Sequence, residues 1–317
     1  MADTGSSELL REATRGFVAR EAPLTAVRAG LEKPRALDRD AWRRAAEMGW
    51  IAALAPEEHG GLGVDLGSAV TIAEELGRGL YGGPFLGCAL AAWAWPEIAG
   101  LADGDTTAAW CALEGGDAGT APARLSGVAR HVFDADVADV LVVSAGDRAF
   151  LVAAEHARIE PEPALDLTRT ISTVTLDDAP ATPVAARDPR LLGALLAAAD
   201  AVGVANRLLE MTVEYAKQRT TFGRTLASYQ AVKHKCADML CDVEGSRAAV
   251  TAAAAEPSER AITIANAYAT ERCARVAGEA LQIHGGIGFT WEHDLHLYLR
   301  RAKADQAMFS LGYAGLL

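Results

Sequence analysis

Apolar residues between Ser7 and about Gly100 recur at three- and four-residue intervals, as in Leu9, Leu10, Ala13, Phe17 and Val18, and again in Trp42, Ala45, Ala46 and Met48. That spacing sets them on one face of a 3.6-residue helix, so the segment reads as helical. Gly49 and the run Pro56-Glu57-Glu58-His59-Gly60-Gly61-Leu62-Gly63 break the pattern, because glycine brings backbone angles a helix does not use, and a loop is expected between two helical groups. From about Leu101 to Asp188 short β-branched runs (137–143, 150–153 and 171–176) alternate with Gly, Asp and Pro, the mark of a small β domain. After Pro189 the helical spacing returns almost to the C-terminus, broken near 220–228, at Pro257 and at 285–288. The reading is an α+β chain with an N-terminal helical domain (1–105), a reduced middle β domain (106–187) and a C-terminal helical bundle (188–317). The helical stretches 191–216 and 259–283 are apolar on most faces, which calls for neighbours on several sides and suggests subunit contacts as well as a bundle.

Composition narrows the class. A chain of 317 residues exceeds the roughly 100–200 of one ordinary domain, and 50% apolar with 23% charged residues excludes a disordered or fibrous chain. Forty-two acidic against 30 basic side chains give a net charge of -12, which repels phosphate backbones and argues against nucleic acid. The five cysteines form no C-x-x-C pair and are odd in number, so a reducing, cytoplasmic setting is expected. The first 30 residues are charged throughout and show no signal peptide; the longest apolar runs, 86–95 and 191–199, fall short of the roughly 20 residues of a membrane span.

Two segments hold candidate chemistry. Arg219-Thr220-Thr221-Phe222-Gly223, followed by Gln230, places a permanent cation, two hydroxyls and an aromatic at a helix end, which suits a pyrophosphate and a flat ring. Gln282-Ile283-His284-Gly285-Gly286-Ile287-Gly288-Phe289 pairs glycines that let backbone approach a ligand, but it lacks the G-x-G-x-x-G order and follows a helix, so it is not a dinucleotide fingerprint. Other features read as structural. His284, His293 and His296 show no metal-ligand spacing, Glu244 and Arg247 pair on one helix face, and Cys236 and Cys241 are helix-face thiols.

Taken with the domain order, these segments resemble the acyl-CoA dehydrogenase family over nearly the whole chain. Residues 42–49, the Pro56 to Gly63 run and Glu74-Glu75-Leu76-Gly77-Arg78 look like its N-terminal signature; residues 215–230 and 282–289 look like its C-terminal one. The resemblance implies FAD. In that family one subunit's β domain holds the isoalloxazine while a neighbour's C-terminal helices grip the ADP half, and Arg219, Thr221, Phe222, Gln230, Gln282, Gly285 and Gly286 are the matching ADP-side positions here.

Other parts depart from the family. The Thr-Glu-Pro-x-x-Gly-Ser-Asp flavin loop is reduced to Ala112-Leu113-Glu114-Gly115-Gly116-Asp117, and Gly127-Val128-Ala129-Arg130-His131-Val132-Phe133 stands in place of the Trp-Ile-Thr segment. The catalytic glutamate position is Phe309, the alternative position is Gly193, and the neighbouring arginine position is Ala194, so no catalytic residue is assigned and Asp305 is the only carboxylate from 303 to 317. The pattern resembles the short subunit of an actinobacterial α2β2 acyl-CoA dehydrogenase of the steroid-degrading type. That implies a full-length acyl-CoA dehydrogenase-like partner supplying the glutamate, a steroid-derived or other acyl-CoA substrate and an electron-transfer acceptor. A flavin-dependent monooxygenase on the same fold and a non-catalytic structural subunit are the alternatives.

Overall fold

A computed structural model describes residues 4–33, 35–63, 65–118 and 123–309; the C-terminal residues 310–317 of the bundle reading lie outside it. Five helices come first: α1 (Thr4–Glu21), α2 (Leu24–Gly30), α3 (Arg39–Glu47), α4 (Leu66–Arg78) and α5 (Phe85–Ala94). Local chemistry sets several starts. Asp38 accepts from the Ala41 amide and Asp65 from the Gly67 amide, each satisfying a first-turn donor that has no partner inside its helix.

Strands follow: β1 (Ala108–Ala112), β2 (Glu114–Ala118), β3 (Arg124–Phe133), β4 (Val140–Ala145), β5 (Arg148–Ala153), β6 (Ala157–Pro161), β7 (Ile171–Pro180) and β8 (Thr182–Val184). They form two four-stranded sheets, ordered β1-β4-β5-β8 and β2-β3-β7-β6. Only the β1–β4 pair is parallel. Alternate residues of both sheets, among them Leu125, Leu141, Phe150 and Val174, share one apolar core.

The chain then returns to helices: α6 (Arg190–Gln218), the short hairpin β9 (Thr220–Thr221) and β10 (Arg224–Thr225), α7 (Gln230–Ala255), α8 (Glu259–His284) and α9 (Leu295–Ala307). The N- and C-terminal helices are not separate bodies, for a single apolar core runs from Phe17 and Trp42 through α4 and α6 to Tyr298. Helix α6 is the axis of that core. Its 29 residues are long and apolar enough to cross a bilayer, which the short-run reading of 191–199 overlooked, but 83% of its most apolar window is buried inside the protein.

The Glu74-Glu75-Leu76-Gly77-Arg78 motif is where α4 meets α6, and each residue has a packing reason. Glu75 takes Arg11 and Arg15, Glu74 takes Arg11 and Arg247, and Arg78 grips Glu210 through both amino groups. Arg247 thus reaches beyond its neighbour Glu244 into the core. The helices touch backbone to backbone: a Cβ on Gly77 would lie 2.2 Å from the Asp200 carbonyl oxygen, and one on Gly203 would lie 1.8 Å from that of Glu74. Gly203→Ala is therefore expected to separate α4 from α6 and cost about 1–3 kcal/mol, read as a lower urea midpoint, although alanine is the better helix former. A gain in stability would mean that the helices are free to slide apart.

Candidate functional site

The Arg219 segment lies at the C-terminal end of α6. Arg219 caps the helix, and the hairpin that follows turns through Phe222 and Gly223, both left-handed at φ 51° and 79°. A two-residue turn of this kind matches strand twist, and glycine fills its second position without strain. Phenylalanine at the first position is strained, yet its side chain is 97% exposed and recovers nothing within the chain. The hairpin is nevertheless firmly held. Tyr229 donates to the Thr221 carbonyl at 3.0 Å, the Arg224 guanidinium lies 3.9 Å over the Tyr229 ring, and the Leu226 amide donates to the Arg219 carbonyl at 2.8 Å. Gln230 opens α7 immediately afterwards and is exposed.

Tyr215 brings the second segment to the same place. Its ring stacks on His284 with centroids 4.5 Å apart, and its hydroxyl faces the His284 carbonyl at 3.4 Å, so the ends of α6 and α8 are joined. Nothing in the spacing singled out Tyr215, because its role depends on a helix 69 residues away. Burial pushes the His284 imidazole towards its neutral form, Nδ1 sits 2.8 Å from the Ala280 carbonyl, and Nε2 is a buried acceptor without a partner. Gly285 ends α8 at φ 64°, ψ -142°, a conformation essentially closed to other residues. A Cβ on Gly285 or Gly286 would meet nothing within 4 Å, so this backbone is open to approach, and Gln282 is exposed beside it. The other histidines are structural: His293 accepts from the Leu295 amide and His296 stacks on Trp291.

A second feature lies between the β domain and α9. A cavity of about 570 Å³ is lined by Leu90, Trp110, Phe133, Ile171, Met308 and Phe309, with cationic side chains at its rim. Phe309 stacks on Phe133 at 5.8 Å. Its ring also occupies the space over Gly193, where a Cβ would lie 2.7 Å from two ring carbons. The two positions that sequence comparison treats as alternatives are thus one place in space, and a phenyl ring fills it. Ala194 is fully buried, and its carbonyl accepts from Asn266. His131, in the segment that replaces Trp-Ile-Thr, is left-handed at φ 58° and held by Glu162 at 2.7 Å.

Residues 4–120 match the acyl-CoA dehydrogenase N-terminal domain and residues 191–309 the C-terminal domain. Acyl-CoA dehydrogenase IpdE2 of Mycolicibacterium smegmatis is 39% identical over 301 residues, covering 94% of this chain and 92% of that protein. The chain belongs to the acyl-CoA dehydrogenase family. IpdE2 of Mycobacterium tuberculosis is 37% identical over the same share of this chain and 91% of its own length. Among solved structures, a chain of the Tcur3481-Tcur3483 steroid ACAD superposes with a TM-score of 0.86 at 26% identity, covering 98% of this chain and 96% of that one. A chain of the ChsE4-ChsE5 complex from Mycobacterium tuberculosis gives 0.86 and 26%, covering 99% and 95%.

Acyl-CoA dehydrogenases are FAD-dependent oxidoreductases acting on acyl-CoA, and the exposed end of α6 and α8 fits part of that cofactor. The Arg219 guanidinium has no carboxylate partner among the described residues, the Gly285–Gly286 backbone is accessible, and the Phe222 ring is exposed. An uncommitted planar cation beside open backbone is chemistry for a diphosphate.

Among the described residues, the carboxylates at and beside the cavity are engaged by arginines. Asp305 is fully buried, is not among the lining residues and pairs with Arg169; Asp166, the one carboxylate among the described lining residues, is held by Arg169 and Arg301. These residues form a buried network with Asp200, joining the loop before β7 to α6 and α9. Burial and then the neighbouring Asp200 raise the Asp305 carboxyl well above the ordinary range, against the pull of Arg169 and Arg301. One proton on Asp305 leaves two carboxylates facing two guanidiniums. A carboxyl that holds its proton more tightly when folded stabilises the fold at low pH, and this contribution is lost as pH rises from about 4 through the raised value. Asp305→Asn, which mimics the protonated form, is expected to gain stability relative to the parent between pH 5 and 9 in urea melts. A stability difference independent of pH would contradict the shared-proton arrangement.

Proposed function

We propose that this chain is the non-catalytic member of a heteromeric, FAD-dependent acyl-CoA dehydrogenase. In this assembly it grips the ADP half of a flavin whose isoalloxazine belongs to a full-length acyl-CoA dehydrogenase-like partner. The observation that carries the reading is Phe309 over Gly193: both places for a proton-abstracting carboxylate are occupied by one apolar ring. Removing an α-proton from a thioester needs a positioned base, so that carboxylate comes from the partner. When bound, FAD supplies the acceptor for the β-hydride in the α,β-dehydrogenation. The work of this chain is binding and orientation. Arg219 meets the pyrophosphate, Thr221 and Gln230 donate from either side of the Tyr229 clamp, and Phe222 stacks. Gln282 and the Gly285–Gly286 backbone close the opposite side.

Exposed apolar side chains support an unlike partner on this face. Phe222, Ile287, Phe289 and Trp291 are all exposed near the joined helix ends, and Leu240 on α7 and Ile264 on α8 lie open as well. The Tcur3481-Tcur3483 steroid ACAD and the ChsE4-ChsE5 complex, each named for two chains, support a heteromer, and the first supports a steroid-derived CoA thioester as substrate; the reading takes the assembly as α2β2, cytoplasmic and coupled to an electron-transfer acceptor. The test is the flavin-to-protein ratio of this chain alone and after co-expression with such a partner. No flavin alone and one per unlike pair is the expected result; one flavin per chain when purified alone overturns the reading.

A further inference from the structure

The cavity beneath Phe309 remains large although its chemistry is gone. A volume of about 570 Å³ falls among the sizes of small-molecule sites, and its walls are mainly apolar, with Leu90, Trp110, Phe133, Ile171, Met308 and Phe309 facing inward. Most of its charged lining is already committed. Arg169 faces three aspartates, Arg190 is held by Asp188, Arg130 lies 3.7 Å from Glu114, and His131 is paired with Glu162. Lys303, on α9 at the rim, donates only to the neutral Gln306 at 3.2 Å and has no carboxylate partner among the described residues.

We propose that this cavity binds an amphipathic monocarboxylate, an apolar body ending in one anionic group, and holds it without reaction. The apolar walls take the body, and Lys303, which has no carboxylate partner among the described residues, takes the carboxylate. A ligand with several phosphates would lack partners here, and a neutral one would leave Lys303 unpaired. Since Phe309 and Gly193 provide no base, the bound acid acts as an occupant that braces the β domain against α9. This goes beyond the shared-flavin reading and does not depend on it.

Trp110 lines the cavity and provides the signal. The full chain is titrated with dodecanoate, cholate, dodecanol and riboflavin while tryptophan fluorescence is followed. At least one acid is expected to give a saturable change that Trp110→Phe abolishes, with dodecanol weaker than dodecanoate by about tenfold, the worth of one charge-assisted hydrogen bond. Lys303→Glu is expected to weaken the acid by at least about as much, without altering the melting temperature or the flavin content of the co-expressed pair. Ala307→Trp, at the exposed end of α9, tests the site by filling it instead of changing its charge. Equal binding of acid and alcohol, indifference to Lys303→Glu, no saturable signal, or tighter binding of riboflavin than of either acid overturns the proposal. The flavin ratio of the unlike pair is a separate measurement, so failure here leaves the shared-flavin reading standing.

Discussion

Replacing Arg301 by methionine is expected to lower stability by about 3–5 kcal/mol, the scale for removing one partner of a buried ion pair. The side chain is 1% exposed; it donates to Asp166 at 2.9 Å and to the Tyr81 carbonyl at 2.7 Å, and its Nε lies 3.2 Å from Asp200 without hydrogen-bond alignment. Burial alone would raise the Asp166 carboxyl, but Arg301, Arg169 and the Thr168 hydrogen bonds hold it well below the ordinary range, so it stays charged. Methionine matches arginine roughly in length, so the lost packing is small and the deficit is electrostatic: two buried carboxylates are left with one guanidinium. Arg301→Lys keeps the charge but loses the planar fork that serves separate acceptors, and an intermediate loss is expected. Urea unfolding of the three proteins at pH 7 measures the order. A loss below about 1 kcal/mol for methionine would show that water reaches the network.

Arg219→Ala is expected to weaken FAD binding in the co-expressed complex by about 10- to 100-fold, the equivalent of one hydrogen bond to a charged group. The same change should leave the unfolding free energy of the isolated chain within about 1 kcal/mol of the parent, because exposed, unpaired side chains contribute little to folding. The contrast between the two readings separates a ligand contact from a structural one. Phe222→Ala should follow the same pattern and leave the stability of the chain alone nearly unchanged, since the exposed ring makes no internal contact and alanine keeps the Cβ that the left-handed position strains. Dialysis against increasing salt sharpens the test: the parent complex should lose flavin more readily as salt rises, and the Arg219 variant should show a shallower dependence. Unchanged flavin content in the Arg219 variant would remove this residue from the cofactor site.

Much of the architecture was legible in the residue pattern because it follows from local rules. Helical spacing at 191–216 and 259–283 corresponds to α6 and α8, the breaks at 220–228 and 285–288 are the hairpin and the end of α8, and the β-branched runs lie in β4, β5 and β7. The two candidate segments were also visible, because an arginine, an aromatic and paired glycines at helix ends are uncommon company. Less was legible where chemistry depends on distant residues. The Glu74-Glu75 pair reads as a motif and is also a junction of three helices, and Asp305, the only carboxylate from 303 to 317, sits in a buried ion network with Arg169 that its sequence neighbours do not reveal.

The sequence alone determined the order of helices and strands, the acidic character of the chain and the phenylalanine and glycine that stand at positions 309 and 193. Only the tertiary structure decided that Phe309 and Gly193, 116 positions apart by their numbering, meet in one place, that Tyr215 joins the ends of α6 and α8, and that a cavity lies beside Phe309. The reason is the range of the forces involved. Hydrophobic periodicity and turn preferences act over a few residues and leave their mark on the sequence. Ring packing against a missing Cβ, and charges sharing a proton, arise only when the fold has brought remote segments within a few ångströms.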